Sequence, residues 1–253
     1  MNQEATVGTN RTGIAAAPQR SQEMLTGMEA FPPTSEGSAQ DIALVRIAYA
    51  QEAEPLGSVP LPASMTKKAK TALKAVMGAQ PTLWMDKLGE RLAFERSGTR
   101  LYEALVSKHD AFGSFAGGPS KSDLEAILQE EYSHFTMLST TIEQLGGDPT
   151  VVAPSADLHA TASHGIVQVI VDPRTTLLQS LEAILIAELA DNACWEALIA
   201  LAEQAGEDTL VQPFEQALVT EQEHLRKVRA WLAAGQGRTS QGKHGRRQAH
   251  SSG

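Results

Sequence analysis

Apolar residues recur every three or four positions along four long segments of the chain, with polar residues between them. This spacing is typical of helices that bury one face and expose the other. The segments cover about residues 81–110, 120–145, 176–205 and 210–234. The pattern therefore predicts an all-α fold built around four long helices.

Residues that favour helix ends mark the limits of these segments. Pro81 suits the first turn of the first helix. Ser122 can cap the second helix, and Glu125, three residues later, completes a capping box. Gly146 and Gly206 are placed to end the second and third helices.

The remaining segments differ in character from these four. The first forty residues are polar and rich in Gly, Pro, Ser and Thr, which is typical of disorder. Two short helical patterns, at 41–55 and 64–79, follow. The predicted organisation is a disordered segment over 1–40, short accessory helices over 41–80, a four-helix bundle over 81–234, and a basic disordered tail over 235–253.

Composition agrees with a helical, globular chain. Apolar residues make up 42% of the sequence and aromatic residues only 5%, which allows a buried core and favours helices over sheet. The net charge is −9, although the tail from residue 235 onward is basic. An acidic body is a poor partner for nucleic acid and suits a protein that collects cations.

A glutamate interrupts the apolar face of each of the four long predicted helices. A charged group in the middle of a buried face is costly unless it is paired or binds a metal. In two of the helices a histidine follows the glutamate by three residues, so that both side chains point from the same face. The residues concerned are Glu95, Glu131, Glu188 and Glu221, with the histidines His134 and His224.

These residues form an internal repeat. Glu95 and Tyr102 recur 93 positions later as Glu188 and Trp195, while the Glu-x-x-His pairs recur 90 positions apart. Each half of the repeat is a helical hairpin. The long crossover over 146–175 carries the chain back so that the two hairpins can pair.

The motifs resemble those of the ferritin-like superfamily, and within it the rubrerythrin and bacterioferritin branches. FERSGTRLY surrounds the first-helix glutamate, and EEYSH and EQEH carry the two Glu-x-x-His pairs. The resemblance covers about residues 84–232. It implies a ferritin-like four-helix bundle of two hairpins that holds two metal ions.

The resemblance also implies a role for each residue. Tyr102 and Trp195 would both lie beside the site, with core packing favoured as the role of Trp195. The implied ligands are Glu95 and Glu188 as outer carboxylates, Glu131 and Glu221 as bridging carboxylates, and His134 and His224 as one imidazole for each metal. Carboxylates with a few imidazoles suit iron, and manganese is the alternative.

The function expected from this site is that of a di-iron oxidoreductase that reacts with O2 or peroxide, such as a ferroxidase or a rubrerythrin-like peroxidase acting in oxidative stress. Three alternatives stay open: an oxygenase or oxidase of an organic substrate, a manganese catalase, and a non-catalytic iron-storage or cargo protein. The family resemblance also implies a homo-oligomer, a dimer or larger.

The single cysteine, Cys194, limits the redox chemistry of the chain. It excludes an intramolecular disulfide and the paired Cys-x-x-Cys module that many rubrerythrins carry, so an external electron donor is expected. The sequence shows no secretory signal and no run of 18 apolar residues. We therefore expect a cytoplasmic location without membrane contact.

Several other polar residues are weaker candidates. His159 and His164, five positions apart in the crossover, form a possible accessory metal site. Asp191, one turn after Glu188, is a possible additional ligand, although Gly98 takes its place in the first half. Among the remaining acids, Glu130 and Glu223 are expected to face solvent, and Glu103 and Glu196 to lie at the surface or behind the ligands. Cys194 is expected in the core.

Overall fold

A computed structural model of the chain describes residues 17–32, 37–57 and 83–248. These ranges contain helices but no strand, which confirms the all-α fold class. The helices are α1 (Pro18–Ala30), α2 (Ala39–Glu52), α3 (Leu83–Phe112), α4 (Lys121–Gln144), α5 (Pro154–Val171), α6 (Leu177–Ala205) and α7 (Asp208–Gln248). They belong to two compact units, Met1–Pro55 and Leu56–Gly253.

The described part of the first unit contains two exposed helices. α1 lies within the segment predicted to be disordered, and it begins at Pro18, whose fixed φ suits the first helical turn. α2 covers most of the range 41–55 predicted as helix, and a capping box between Ser38 and Asp41 starts it. The second predicted accessory helix, 64–79, and Pro81 lie outside the described residues.

The second unit is a four-helix bundle of two hairpins, as the sequence predicted. α3 packs along α4, α6 packs along α7, and α3 also contacts α6. Two apolar clusters fill the core, one around Leu105, Leu124 and Leu181 and the other around Trp84 and Leu138.

The cap of α4 differs from the prediction. Ser120, not Ser122, is the N-cap: its hydroxyl accepts from the Asp123 N–H at 3.1 Å, and the Asp123 carboxylate accepts from the Ser120 N–H at 2.9 Å. Ser120-x-x-Asp123 satisfies the same motif, and it lets the helix begin immediately after the extended Ser120.

The end of α7 also differs from the prediction. The helix continues through the predicted tail to Gln248 instead of ending at residue 234. Gly235 is buried, and a Cβ there would lie 2.4 Å from Cδ1 of Leu178. The missing side chain therefore allows close packing on α6 where the sequence suggested a break.

The crossover contains an 18-residue helix, α5, that packs against α3 and α6. Buried polar residues of α3 hold both of its ends. Near the start, the Ser155 hydroxyl donates to Asp86 Oδ2 at 2.6 Å. Beyond the end, Lys108 Nζ donates to the carbonyl oxygens of Asp172 and Thr175, each at 2.9 Å. These contacts fix the register of α5 along α3.

Candidate metal centre

The four glutamates and two histidines singled out by the sequence converge in the bundle. Each of the four bundle helices contributes a carboxylate, and α4 and α7 also contribute an imidazole. All six residues are buried: Glu95, Glu131, Glu188, Glu221, His134 and His224. Only packing could establish this, because the sequence pattern places them on helix faces without saying how the faces meet.

The ligand atoms form two groups of three. In one, Glu95 and His134 of the first hairpin meet Glu221 of the second. In the other, Glu188 and His224 of the second hairpin meet Glu131 of the first. Within each group the possible ligand atoms all lie within 4.8 Å of one another. Each hairpin therefore supplies a glutamate and a histidine to one group and its second glutamate to the other group.

The glutamate shared across the hairpins is well placed to bridge two ions. Glu221 Oε1 lies 2.6 Å from His134 Nδ1, and its Oε2 lies 3.1 Å from His224 Nδ1. One oxygen thus faces each imidazole. Its counterpart Glu131 places Oε1 3.5 Å from His224 Nδ1. These positions suit the bridging roles that the family resemblance implies for Glu131 and Glu221.

Buried carboxylate oxygens that lack a hydrogen-bond partner indicate whether the site suits metal ions. Glu131 Oε2 and Glu188 Oε2 are buried and have no hydrogen-bond partner among the described residues. An isolated buried carboxylate is strongly disfavoured, whereas coordination to a cation compensates for its lost hydration. The donor set of carboxylates and imidazoles suits iron or manganese. The residues present therefore fit two divalent ions.

Arg91 adds a buried positive charge that the sequence interpretation missed. Its Nε lies 3.0 Å from Glu95 Oε1, and its Nη2 lies 2.6 Å from Asp191 Oδ1. The guanidinium also stacks over the Phe94 ring, 4.2 Å from its centroid. The signal available in the sequence was its position four residues before Glu95, on the same face of the helix.

Asp191 lies in the buried cluster and pairs with Arg91. One of its carboxylate oxygens lies within 4.8 Å of an oxygen of each of Glu95, Glu131 and Glu221. When all groups are ionised, the four glutamates, Asp191 and Arg91 carry a net charge of four minus. Two divalent cations would neutralise it. Asp191 thus balances Arg91, and the four glutamates balance the two ions.

Burial raises the pKa of Glu131 and of Glu221 well above the usual range, and neighbouring carboxylates add to the effect. Burial likewise raises the pKa of Glu188 to about 7. Glu95 behaves differently: burial acts to raise its pKa, but Arg91 and His134 outweigh this and lower it. The metal-free centre therefore retains protons on several of its carboxyl groups near neutral pH.

Glu130 has a role that the sequence interpretation did not give it. We expected it at the surface, yet its Oε2 lies 2.7 Å from His224 Nε2 while Nδ1 of the same ring faces the centre. A carboxylate on the far nitrogen orients a metal-binding imidazole. Glu223 is half-exposed and pairs with Arg226, as a surface residue does.

A different aromatic residue lies beside each of the two ligand groups. The Tyr102 hydroxyl donates to Glu188 Oε1, and the Tyr102 ring lies 6.5 Å from that of His224. Trp195 instead packs edge-on against His134, at 5.7 Å between ring centroids. Burial, assisted by the Glu188 carboxylate, raises the pKa of Tyr102 well above its usual value, so the hydroxyl stays protonated and can donate.

A comparison with protein-family models matches residues 121–237 to the family described as Ferritin, Ferritin-like domain. This match supports the ferritin-like superfamily. It spans three of the four bundle helices and every predicted ligand except Glu95. Searches of curated proteins and of solved structures found no significant match.

The remaining candidates lie outside the candidate metal centre. His164 is paired with Gln168, its Nε2 3.0 Å from the amide nitrogen, whereas His159 faces Glu90. Cys194 is only partly buried, and it also contacts Glu90. Glu103 and Glu196 are exposed, as expected. Among the described residues, no helix is both long and apolar enough to cross a membrane.

Proposed function

We propose that the protein is a dimetal carboxylate oxidoreductase that uses two iron ions and reacts with O2 or peroxide, as a ferroxidase or a rubrerythrin-like peroxidase does. One observation carries the proposal. Each group of ligands combines a Glu-His set from one hairpin with a glutamate from the other, and Glu221 turns one oxygen toward each imidazole. This arrangement suits two ions held side by side.

Two iron ions held there would supply two electrons together to O2 or peroxide. The protein would keep the reacting positions dry, because apolar clusters close the bundle core. Tyr102 orients Glu188 through its hydrogen bond and leaves Glu188 Oε2 available to an ion. Arg91 holds Oε1 of Glu95 through Nε, while Oε2 of Glu95 faces His134.

The electrons must come from outside the chain. Its only cysteine, Cys194, cannot form a cysteine-ligated iron–sulfur cluster within the chain. Either Fe(II) is itself the substrate, as in a ferroxidase, or a separate electron donor reduces the centre. We propose a cytoplasmic homo-oligomer as the working form.

The test is Fe(II) oxidation by full-length protein, followed with O2 and separately with peroxide. Glu131→Gln keeps the shape of the side chain but removes its charge, and Glu125→Gln makes the same change on the exposed face of α4. We expect Glu131→Gln to lower the rate at least about 100-fold. Glu125→Gln should retain the wild-type rate. Equal rates in wild type and Glu131→Gln would refute the assignment.

A cavity of about 400 Å³ between α3 and α5 favours a second candidate, an oxygenase or oxidase of a small apolar substrate. Gly98 lines this cavity, and a Cβ there would lie 2.1 Å from Glu131 Oε2. The cavity wall is therefore thin beside the centre. Apolar compounds that accelerate O2 consumption by the iron-loaded protein, supplied with an electron donor but no excess Fe(II), would favour this candidate. Rates that depend only on Fe(II) or peroxide would exclude it.

A further inference from the structure

A second cluster of possible metal ligands lies outside the dimetal centre. Glu90 of α3, His159 of α5 and Cys194 of α6 place one ligand atom each within 4.8 Å of one another. Glu90 Oε1 lies 3.2 Å from His159 Nε2 and 3.9 Å from Cys194 Sγ. Three different helices thus converge on a single carboxylate oxygen.

The contacts between α3 and α5 explain why His159 meets Glu90. Asp86 binds Ser155 at the start of α5, and the two helices then run alongside each other. One turn further along both helices come Glu90 and His159. The meeting follows from the anchored register of the crossover and not from a chance surface approach.

Neighbouring side chains hold the cluster in place. Lys87 Nζ donates to Glu90 Oε2, which leaves Oε1 toward the histidine and the cysteine. The Phe94 ring meets His159 at 75° with 6.4 Å between centroids, which restricts the imidazole. Glu90 is buried, whereas His159 and Cys194 are partly accessible.

The separations suit a small tetrahedral ion. Zinc bonds of usual length imply about 3.3 Å between nitrogen and oxygen ligands and about 3.5 Å between sulfur and oxygen ligands. The observed 3.2 Å and 3.9 Å are close to these values. Thiolate with imidazole and carboxylate is a donor set that zinc accepts, while the dimetal centre offers no sulfur.

The geometry points to a mononuclear zinc site formed by Glu90, His159 and Cys194, with a fourth position open to the cavity between α3 and α5. Glu90 and His159 both line that cavity, so water or a small ligand can complete the coordination. Occupied, the site joins the crossover helix to both hairpins. It does not depend on the proposed oxidoreductase activity.

The test is a Co(II) titration of full-length, chelator-treated protein, monitored by absorption. Cys194 is the only cysteine in the chain, so a thiolate-to-cobalt charge-transfer band reports this site even while cobalt fills the dimetal centre. We expect the band in wild type and its loss on addition of Zn(II). We expect no band in Cys194→Ser and a binding constant at least about tenfold weaker in His159→Gln.

His164→Gln is the matched control, because His164 lines the same cavity but pairs with Gln168. It should keep the band at wild-type strength, and Glu131→Gln should keep it too, since the dimetal ligands carry no sulfur. Circular dichroism shows whether each variant is folded. Absence of the band in wild type, or a band as strong and as tightly formed in His159→Gln, would overturn the site.

Discussion

The two halves of the candidate centre carry the same carboxylate and imidazole groups in different surroundings. Around Glu95 and His134, a buried arginine and the Trp195 ring complete the half, and Arg91 lowers the pKa of Glu95. Around Glu188 and His224 the partners are a tyrosine hydroxyl and Glu130, and burial raises the pKa of Glu188 to about 7. The internal repeat thus fixes which residues can bind, while their unrepeated neighbours set the charge of each half. We expect two inequivalent metal positions.

Removing the arginine should produce the largest effect. Arg91→Met leaves Asp191 and Glu95 buried without their cation, which should lower the free energy of unfolding of the metal-free protein by about 3–5 kcal/mol. Urea denaturation monitored by circular dichroism measures this. The double variant Arg91→Met with Asp191→Asn should recover part of the loss. If Arg91→Met were as stable as wild type, the buried charge pair would not hold this half together.

Adding a methyl group at Gly98 should affect the other half. The new Cβ would lie 2.1 Å from Glu131 Oε2, so the carboxylate must leave the position in which it meets Glu188 and His224. We expect Gly98→Ala to weaken binding of the metal equivalent held with Glu188 and His224 by about 10- to 100-fold, and to weaken the other equivalent, which Glu131 would also bridge, by less. Isothermal titration with Fe(II) or Mn(II) under anaerobic conditions resolves the two steps.

Ser97→Ala on the exposed side of α3 is the control for Gly98→Ala, and it should bind both equivalents as wild type does. If Gly98→Ala weakened the binding of both metal equivalents equally, the two metal positions would not be made inequivalent by their neighbouring residues.

The sequence predicted the fold and the buried positions of these carboxylates and imidazoles, because both depend on helical periodicity. Glutamates at the centre of each apolar face, repeated at fixed spacing, required no knowledge of packing. Arg91 and Glu130 were missed because their roles depend on how one helix meets another: Arg91 reaches Asp191 one hundred positions away, and Glu130 reaches His224. The α5 helix was missed because its anchor, Asp86 to Ser155, is also a long-range contact.

A smaller change tests the partner of His224. Glu130→Gln keeps a hydrogen-bond acceptor but removes the charge beside Nε2, so the imidazole stays in place with a weaker orienting contact. We expect roughly tenfold weaker metal binding in that half and no change in the other. Thr220→Val changes the equivalent position of the second hairpin and should leave both affinities unchanged. Identical affinities in Glu130→Gln and wild type would remove Glu130 from the site.

A pH dependence of stability that metal reverses is also expected. In the metal-free protein burial raises the pKa of Glu188 from 4.5 to about 7. The pKa of His224 is raised from 6.5 to about 9, because Glu131 and Glu188 outweigh the opposing effect of burial. A raised pKa stabilises the folded state below the unfolded value, and the stabilisation is lost as pH rises through the folded value.

Metal-free protein should therefore unfold at a higher temperature near pH 5.5 than near pH 8.5. The lowered pKa of Glu95 does not oppose this trend, because its contribution changes only below its usual value of 4.5. Bound metal requires deprotonated ligands, so the gain in melting temperature on adding Mn(II) should grow with pH. Scanning calorimetry at both pH values measures both trends. A metal-free protein that is more stable at the higher pH would show that the buried carboxyl groups are not protonated, and the two halves would then differ less in charge than the structure indicates.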